Sequence, residues 1–171
     1  MIHLNIGSNL ESKYGSKFEN ISIALKLLIE SKIKINKISN FYETPSYPNK
    51  NFPNFINIGL TIDFIDGHLD LLKKIKLIEK KLGRIKTKKN NPRVIDIDII
   101  DFNSLIKKDS KLILPHPRCH LRNFVLFPIL QIDPNWSHPI LKKNARFLIN
   151  KLSQKLRIEI TRLQKNVNIQ L

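Results

Sequence analysis

Hydrophobic and polar positions along the chain follow two periods, one typical of strands and the other of helices. Apolar residues at every second position of 2–6 predict a short strand that runs into the turn Gly7-Ser8-Asn9. Apolar residues at spacings of three and four then predict a helix over about residues 17–31. The segment 33–42 is rich in β-branched and aromatic residues and indicates a second strand.

The segment 44–53 has three prolines in ten residues, which excludes a helix or a central strand and predicts a long exposed loop. Residues 55–64 alternate cleanly and predict a third strand, with Phe55 and Asn57 on the face opposite the isoleucines. An apolar stripe over 71–82 predicts a second helix, and Gly83 stands where such a helix ends.

A basic loop follows, and residues 94–102 predict a fourth strand. The order β-α-β-β-α-β is that of a ferredoxin-like core with an antiparallel sheet, so the class is α+β. Beyond the core we expect C-terminal additions: an apolar stretch at 124–132, a helix from about residue 144, and a last strand from the apolar residues of 156–160. A length of 171 residues suits a single domain, residues 1–171.

The charge of the chain is unusual, at +16 with 30 Lys and Arg against 14 Asp and Glu. Such a balance favours polyanionic partners, namely nucleic acids, nucleotides or phosphates. The alternative is genome bias, because 23 of the basic residues are lysine and the chain also holds 28 isoleucines and 18 asparagines, all encoded by A+T-rich codons. The charge alone does not separate the two.

Other sequence features exclude several classes of protein. No apolar run approaches the roughly 20 residues that span a bilayer, and the N-terminal residues lack the basic and long apolar regions of a secretory signal. The single cysteine, Cys119, excludes an internal disulfide framework and a cysteine cluster for zinc. We therefore expect a cytoplasmic protein that does not associate with membranes.

Two carboxylates stand out in the fourth predicted strand. Asp96 and Asp98 are two residues apart, so they point to the same face, about 6.6–6.8 Å apart at Cα. Paired carboxylates on a rigid strand can hold Mg²⁺ together with nucleotide phosphates. The alternative is the solvated face of an amphipathic strand.

Basic residues surround this pair in the sequence: Arg84, Lys86, Lys88, Lys89 and Arg93. Cations beside a carboxylate–Mg²⁺ site suit phosphoryl transfer, in which charge on the phosphate oxygens must be neutralised. A solvated run of charge is the alternative. The chain has no Walker A motif or glycine-rich loop, which excludes P-loop and protein-kinase machinery.

A second polar cluster contains His116, Arg118, His120 and Arg122. Two histidines and two arginines within seven residues could bind phosphates, although each histidine alone could equally be structural or simply exposed. Cys119, within the same segment, has no base partner in the sequence and is interpreted as a packing residue.

An aromatic residue and an amide, Phe55 and Asn57, share one face of the third strand beside the Pro-rich loop. An aromatic ring and an amide can together stack on and hydrogen-bond a flat heterocycle. The alternative is an aromatic residue at a sheet edge and an asparagine that faces a turn.

Taken together, these segments resemble the 6-hydroxymethyl-7,8-dihydropterin pyrophosphokinase family of folate biosynthesis. The matching segments are collinear, and the resemblance is clearest over residues 2–139; they are residues 6–10, 41–45, 53–57, 78–84, 92–98 and 114–118, continued by 122–126. The most specific are PRVIDID at 92–98 and PHPR at 115–118. The resemblance implies transfer of pyrophosphate from ATP to the pterin hydroxymethyl group, which releases AMP.

The resemblance also implies roles for the charged residues. Asp96 and Asp98 would hold two Mg²⁺ ions that bridge the ATP phosphates and the acceptor hydroxyl. Arg84 and Arg93 would bind ATP and stabilise the transferring group. The remaining contacts to ATP would come from Glu79, Lys111, His116 and Arg122.

For the pterin, the resemblance implies that Asn57 hydrogen-bonds the edge of the ring while Phe55 and Phe124 stack on its two faces. Asp96 would also face the pterin, and Thr44, Pro45 and Tyr47 would lie along its pocket. The Pro-rich loop at 45–53 and the basic loop at 84–92 correspond to loops that close over the substrates and exclude water.

The chain departs from the family pattern in the basic loop. Residues 87–92 read TKKNNP where the family often has a tryptophan and a glycine before the proline, and the loop is one residue shorter. Lys86 replaces a common arginine and thus a bidentate fork with a point charge. We expect these changes to affect rate and affinity more than the type of reaction.

Two other functions are compatible with parts of the sequence. A ferredoxin-like nucleic-acid binder would need aromatic and basic residues interleaved on the sheet face, whereas Asp96 and Asp98 would repel a phosphate backbone. A non-catalytic relative would be expected to have lost some of the aspartates and arginines. We therefore expect an enzyme that acts on small molecules and not on nucleic acid. We also expect a monomer, because no heptad pattern or large unexplained apolar face occurs.

Overall fold

The computed structural model describes residues 1–85, 91–165 and 167. The helices and strands are, in chain order, β1 (Ile2–Ser8), α1 (Lys17–Glu30), β2 (Lys34–Ile38), β3 (Tyr42–Thr44), β4 (Phe55–Asp63), α2 (His68–Lys81), β5 (Asp96–Phe102), β6 (Lys107–Lys108), β7 (Ile113–Leu114), α3 (Asn123–Ile132), α4 (Ala145–Lys151), α5 (Gln154–Ile158) and β8 (Thr161–Arg162). A short 3₁₀ turn at Cys119–Leu121 precedes α3. Within this part of the chain, every helix is too short or too polar to cross a lipid bilayer.

Six of the described strands form one antiparallel sheet in the order β5-β1-β4-β3-β8, and β2 also pairs with β4. Strands β1 and β4 therefore form the centre of the sheet. Strand β5 lies outside β1, and both β2 and β3 pair with the outer side of β4. With α1 and α2 as crossovers, this is the ferredoxin-like split arrangement predicted from the order of elements. The α+β class is confirmed.

The predicted second strand, 33–42, is divided into two pieces. Ile38 lies opposite Leu60, while Tyr42 lies opposite Asn57, so four steps on one strand face three on the other. The extra residue interrupts the ladder as in a β-bulge. Ser39 spans the interruption: its backbone N–H donates to the Gly59 carbonyl at 3.0 Å, and its hydroxyl accepts the Gly59 N–H at 2.9 Å.

The strand predicted from residues 156–160 is wrong. Leu156 and Ile158 lie in the short helix α5, and the last strand comes later, at 161–162. Ser153 explains the difference, because its hydroxyl accepts the Leu156 N–H at 3.3 Å and caps the helix. A local cap thus overrides an apolar alternation only five residues long.

The two faces of the sheet pack against different helices. The isoleucines and leucines of β1, β4 and β5 pack against α1 and α2 in the larger core. On the opposite face, α3 lies so close to β4 that a Cβ atom at Gly59 would be 2.7 Å from Cβ of Pro128. The helix covers this part of the face. A cavity lies beside it, where β1 ends and where β4 and β5 begin.

Candidate active site

Three neighbouring strands bring residues from distant parts of the chain into one row. Asn57 on β4 lies opposite Gly7 on β1, which in turn lies opposite Asp96 on β5. Directly opposed residues of an antiparallel pair share a face, so these three point to the same side of the sheet. Asp98 follows two residues later on that side, opposite Asn5. The pairing register therefore places the predicted amide and carboxylates on one surface.

This surface lines a cavity of about 1310 Å³, and its residues belong to the two sides of that cavity. One side of the cavity, here called the aromatic–amide wall, consists of Thr44, Pro45, Tyr47, Phe55, Asn57 and Phe124. The other side, here called the charged wall, consists of Glu79, Arg84, Arg93, Asp96, Asp98 and Arg122. All twelve are residues for which the sequence predicted a role in binding or catalysis.

Asp96 is the centre of the charged wall. Its Oδ1 lies 2.6 Å from Nη1 of Arg84, and its Oδ2 lies 3.0 Å from Nη1 of Arg93. Burial raises the pKa of Asp96, and the neighbouring Asp98 carboxylate raises it further, while the two arginines offset part of this effect. The two carboxylates are close together and partly shielded from water, so their charges repel each other and a cation bound between them is favoured.

Glu79 on α2 supports this centre from below. The side chain is 3% exposed, and its Oε1 accepts the backbone N–H of Ile97 at 2.8 Å, between the two aspartates. The same oxygen pairs with Arg84, and Oε2 lies 2.8 Å from Nζ of Lys76. Burial lowers the pKa of the Arg84 guanidinium, but Asp96 and Glu79 outweigh burial and raise it. Glu79 therefore aims Arg84 at the cavity.

Asp98 has its own basic partners. Its Oδ2 lies 3.2 Å from Nη1 of Arg122 and 3.9 Å from Nε2 of His116. Burial, followed by the charges of Arg122 and Arg118, lowers the pKa of His116 to about 4. Nδ1 of His116 accepts the backbone N–H of Arg118 at 3.2 Å, so the proton of the neutral ring lies on Nε2, which can donate a hydrogen bond to a polar ligand group at this point.

The aromatic–amide wall is built around Asn57, which is 2% exposed. Its Nδ2 donates to Oγ1 of Thr44 at 3.1 Å, which fixes the orientation of the amide. A Cβ atom at Gly7 would lie 2.8 Å from Oδ1 of Asn57 and 3.5 Å from Cδ1 of Phe55, so only glycine leaves room here. The Arg122 guanidinium lies over the ring of Phe124, with its Cζ 5.3 Å from the ring centroid. The wall can stack and hydrogen-bond a flat ring.

The structure also places residues in the site that the sequence analysis did not single out. Asn5, with its amide nitrogen towards them, donates to the carbonyls of Ile58 and Phe124 at 3.2 and 2.9 Å and ties the start of α3 to the sheet. Asn9 accepts the Arg93 N–H at 2.7 Å and donates to the Pro53 carbonyl at 3.2 Å. Asn5 lies within β1 and Asn9 directly follows that strand, and neither position carries a sequence signal for such long-range contacts.

Some predicted residues lie elsewhere. Lys111 is exposed in the turn between β6 and β7, where its N–H donates to Asp109, and it is not part of the cavity wall. Its contact with ATP stays a prediction. Lys86, Lys88 and Lys89, and with them most of the basic loop, lie outside the described residues.

Cys119 is a packing residue, as predicted. It is buried in a second core, which α3 and α4 form apart from the larger one, and burial raises the pKa of its thiol to about 12. Its sulfur and the nearest ring nitrogens of His120 and His138 lie within 4.8 Å of one another. However, Nδ1 of His138 accepts two backbone N–H groups, from Ile140 and Leu141, so the proton remains on Nε2. This leaves His138 without the free lone pair that a metal ligand needs.

Fold and cavity together define an α+β protein whose sheet carries paired carboxylates, with arginines from the neighbouring connections beside them, opposite an aromatic–amide wall. Residues 3–134 match the model of the family described as 7,8-dihydro-6-hydroxymethylpterin-pyrophosphokinase (HPPK). The chain belongs to this family, which confirms the resemblance seen in the sequence.

Relatives and solved structures agree with this assignment. The 2-amino-4-hydroxy-6-hydroxymethyldihydropteridine pyrophosphokinase of Aquifex aeolicus is 37% identical over 83% of this chain and 86% of that protein. The folic acid synthesis protein FOL1 of Dictyostelium discoideum is 42% identical over 82% of this chain, but the match spans only 21% of that protein. The crystal structure of Plasmodium falciparum HPPK-DHPS has a TM-score of 0.69 at 18% identity, over 94% of this chain and 47% of that one, and shows the same fold.

Proposed function

We propose that this protein transfers pyrophosphate from ATP to 6-hydroxymethyl-7,8-dihydropterin, giving AMP and the pterin diphosphate, as a step of folate biosynthesis. The observation that carries the proposal is the membership in the pyrophosphokinase family over residues 3–134, which include both walls of the cavity. In the reaction, the acceptor hydroxyl oxygen attacks the β-phosphorus of ATP. The bond from that phosphorus to the α,β-bridging oxygen breaks, AMP leaves with this oxygen, and the hydroxyl proton is released.

The aromatic–amide wall would bind the pterin. Asn57 offers its oxygen and one N–H to the edge of the ring, because its other N–H is engaged by Thr44. The rings of Phe55 and Phe124 would stack on the two faces of the pterin, and Pro45 and Tyr47 would line its pocket. The pterin hydroxymethyl group would then point towards Asp96, which shares the row of Asn57 and Gly7.

The charged wall would bind ATP. Arg84 and Arg93 each use part of their guanidinium on Asp96, and the remaining donors can reach phosphate oxygens in the cavity. Arg122 and His116, on the other side of Asp98, would contact the same phosphates or the ribose. Charge that develops on the transferring group is thus met by preorganised cations.

We propose that the enzyme depends on Mg²⁺. Asp96 and Asp98 fit this ion, because both are hard oxygen donors on one face and because burial, followed by the charge of Asp98, raises the pKa of Asp96. Within the described residues, Oδ1 of Asp98 makes no hydrogen bond or ion pair, so it is available as a ligand. When bound, Mg²⁺ neutralises phosphate charge and orients the phosphates.

The test is to incubate the protein with ATP, Mg²⁺ and the hydroxymethyldihydropterin and to analyse the products by ³¹P NMR and mass spectrometry. We expect AMP and the pterin diphosphate in equal amounts. Asp98→Asn should reduce turnover by about 10²-fold or more, whereas the exposed matched change Asp63→Asn should leave it unchanged. ADP as the product would contradict pyrophosphoryl transfer, and binding of both substrates without product would indicate a non-catalytic relative.

We further propose that the enzyme acts as a cytoplasmic monomer and does not bind nucleic acid. Both walls of the cavity come from a single chain, and the aspartates on the sheet face oppose a phosphate backbone. Sedimentation should give a mass near 20.0 kDa, cell fractionation should recover the protein with soluble enzymes, and an oligonucleotide at physiological salt should leave its mobility unchanged.

A further inference from the structure

The C-terminal segment contributes to the cavity, although the family match ends at residue 134. Lys155 and Leu156 on α5 and Glu159 directly after it line the cavity, as does Lys50 in the Pro-rich loop. The loop and the C-terminal segment meet there, because Nζ of Lys50 lies 2.5 Å from Oε1 of Glu159. This ion pair joins segments 109 residues apart.

The C-terminal side of this contact is firmly held. Asn123, which is 4% exposed, donates from Nδ2 to the Leu156 carbonyl at 2.6 Å. Ser153 caps the start of α5, and the Glu159 N–H donates to the Lys155 carbonyl at 3.0 Å at its end. Glu159 is thus presented from a helix that is tied to the start of α3, beside Phe124.

The loop side is held mainly at its base. Ser46 donates to the Pro53 carbonyl at 2.6 Å, and Asn9 binds both residues, so the two ends of the loop are joined. The tip, residues 47–52, has hydrogen bonds within itself, made by the N–H groups of Asn51 and Phe52 to Asn49. In the described part of the chain, the pair of Lys50 and Glu159 is the single ion pair or hydrogen bond that joins this tip to another segment.

We propose that Lys50 and Glu159 are positioning residues whose ion pair holds the Pro-rich loop against the C-terminal helix and closes the pterin side of the cavity. Tyr47 of the aromatic–amide wall lies on this tip and is 84% exposed, so its place depends on where the tip is held. The Lys50 side chain is 51% exposed, and such a pair is weak enough to open for substrate entry and product release. The inference rests on the proposed function for its kinetic consequence and not for the contact itself.

The kinetic test uses a charge swap. Lys50→Glu and Glu159→Lys should each raise the KM for the pterin by about three- to fivefold with kcat nearly unchanged, the range expected for one partly exposed ion pair. The double variant K50E/E159K restores the attraction and should return KM to within about twofold of wild type. The matched control is the double charge swap Lys34→Glu with Asp63→Lys, an exposed pair on the sheet edge. It should leave the KM for the pterin and kcat unchanged.

A second measurement does not depend on activity. Hydrogen–deuterium exchange of the peptide that contains residues 47–52 should speed up in each single variant and return to the wild-type rate in the double variant. Circular dichroism and thermal melting check that all variants fold. If the wild type makes no AMP, the proposed function fails, while the exchange data still show whether the ion pair of Lys50 and Glu159 holds the loop.

Two outcomes would overturn the inference. In the first, the single variants match wild type in both exchange and KM, so the pair holds nothing in solution. In the second, the single variants are impaired and the double variant is not rescued, which would assign the effect to the individual side chains and not to their attraction.

Discussion

Gly7 and Asn57 face each other across β1 and β4, and a Cβ atom at residue 7 would lie 2.8 Å from Oδ1 of Asn57. Real Cβ atoms do not approach an oxygen this closely, so any larger residue must displace the amide. The amide is also held by Thr44, and its orientation decides which edge of a ring it can recognise. Gly7, which the sequence analysis assigned to a turn, therefore has a steric role in the site.

Gly7→Ala should weaken binding of the pterin with little effect on folding. Displacement of the Asn57 amide removes about one hydrogen bond to the ring, so KM for the pterin should rise about tenfold. Steady-state kinetics at saturating ATP measure this. Gly67→Ala is the matched control, because the nearest atom to its Cβ is 3.7 Å away; an equal rise in KM there would contradict the steric explanation.

Gly59→Ala should act on stability instead. Its Cβ would lie 2.7 Å from Pro128 and 3.4 Å from Ile132, both on α3, so the helix must move away from the sheet. Overpacking of this kind costs about 1–3 kcal/mol of unfolding free energy. Urea denaturation measures the loss as a lower midpoint relative to the wild type. An unchanged midpoint would mean that α3 does not pack on β4 as described.

Glu79→Ala should destabilise the protein and misplace Arg84. The substitution removes a buried carboxylate that binds Arg84, Lys76 and the Ile97 N–H, and it leaves the guanidinium without one of its two anions. We expect a loss of about 2 kcal/mol or more by urea denaturation.

On the same helix, Asp70 forms an exposed pair with Lys73 and provides the comparison for Glu79. Asp70→Ala should cost about 1 kcal/mol or less, since Asp70 contributes an exposed ion pair and a negative charge in the first turn of the helix. Equal losses in the two variants would show that the Glu79 network does not stabilise the fold.

His3 should make the protein less stable in acid. The ring is 2% exposed, its Nε2 lies 2.9 Å from Oδ2 of Asp133, and within the described residues its buried Nδ1 has no partner. Burial lowers the pKa of His3 below its ordinary value of 6.5, although Asp133 and Asp101 oppose this. A proton is then bound more weakly in the folded than in the unfolded state.

The stability that comes from neutral His3 is therefore complete above pH 6.5 and decreases as the pH falls below this value. Unfolding free energy measured between pH 7.5 and 5 should drop, by at most about 1.4 kcal/mol per pH unit from this one group. His3→Gln should flatten the curve. A stability that rises on acidification, and rises less in the variant, would show that the charged form is the one stabilised.

Much of the charged wall could be predicted from local pattern. Asp96 and Asp98 share a face because side chains alternate along a strand, and that holds for any tertiary structure. The apolar stripe of α2, closed by Gly83 with φ of 87°, was likewise readable, since helix ends have local signals. The family itself was recognisable because its motifs are short and collinear.

Other features depended on contacts that no local pattern specifies. The alternation at 156–160 favoured a strand, whereas the Ser153 cap and the Asn123 hydrogen bond hold Leu156 in a helix beside the cavity. Lys111 was grouped with the ATP-binding residues by resemblance, yet a hairpin turn places it away from the cavity wall.

The sequence by itself determined the periods of the helices and strands, the common face of the two aspartates, and the family. Only the tertiary structure decided that Asn57, Gly7 and Asp96 form one row, that Glu79 lies beneath Arg84, and that Lys50 reaches Glu159. The physical reason is that period and capping act over a few residues, whereas strand register, burial of charge and helix docking depend on residues far apart in the chain. The site is made of such long-range contacts.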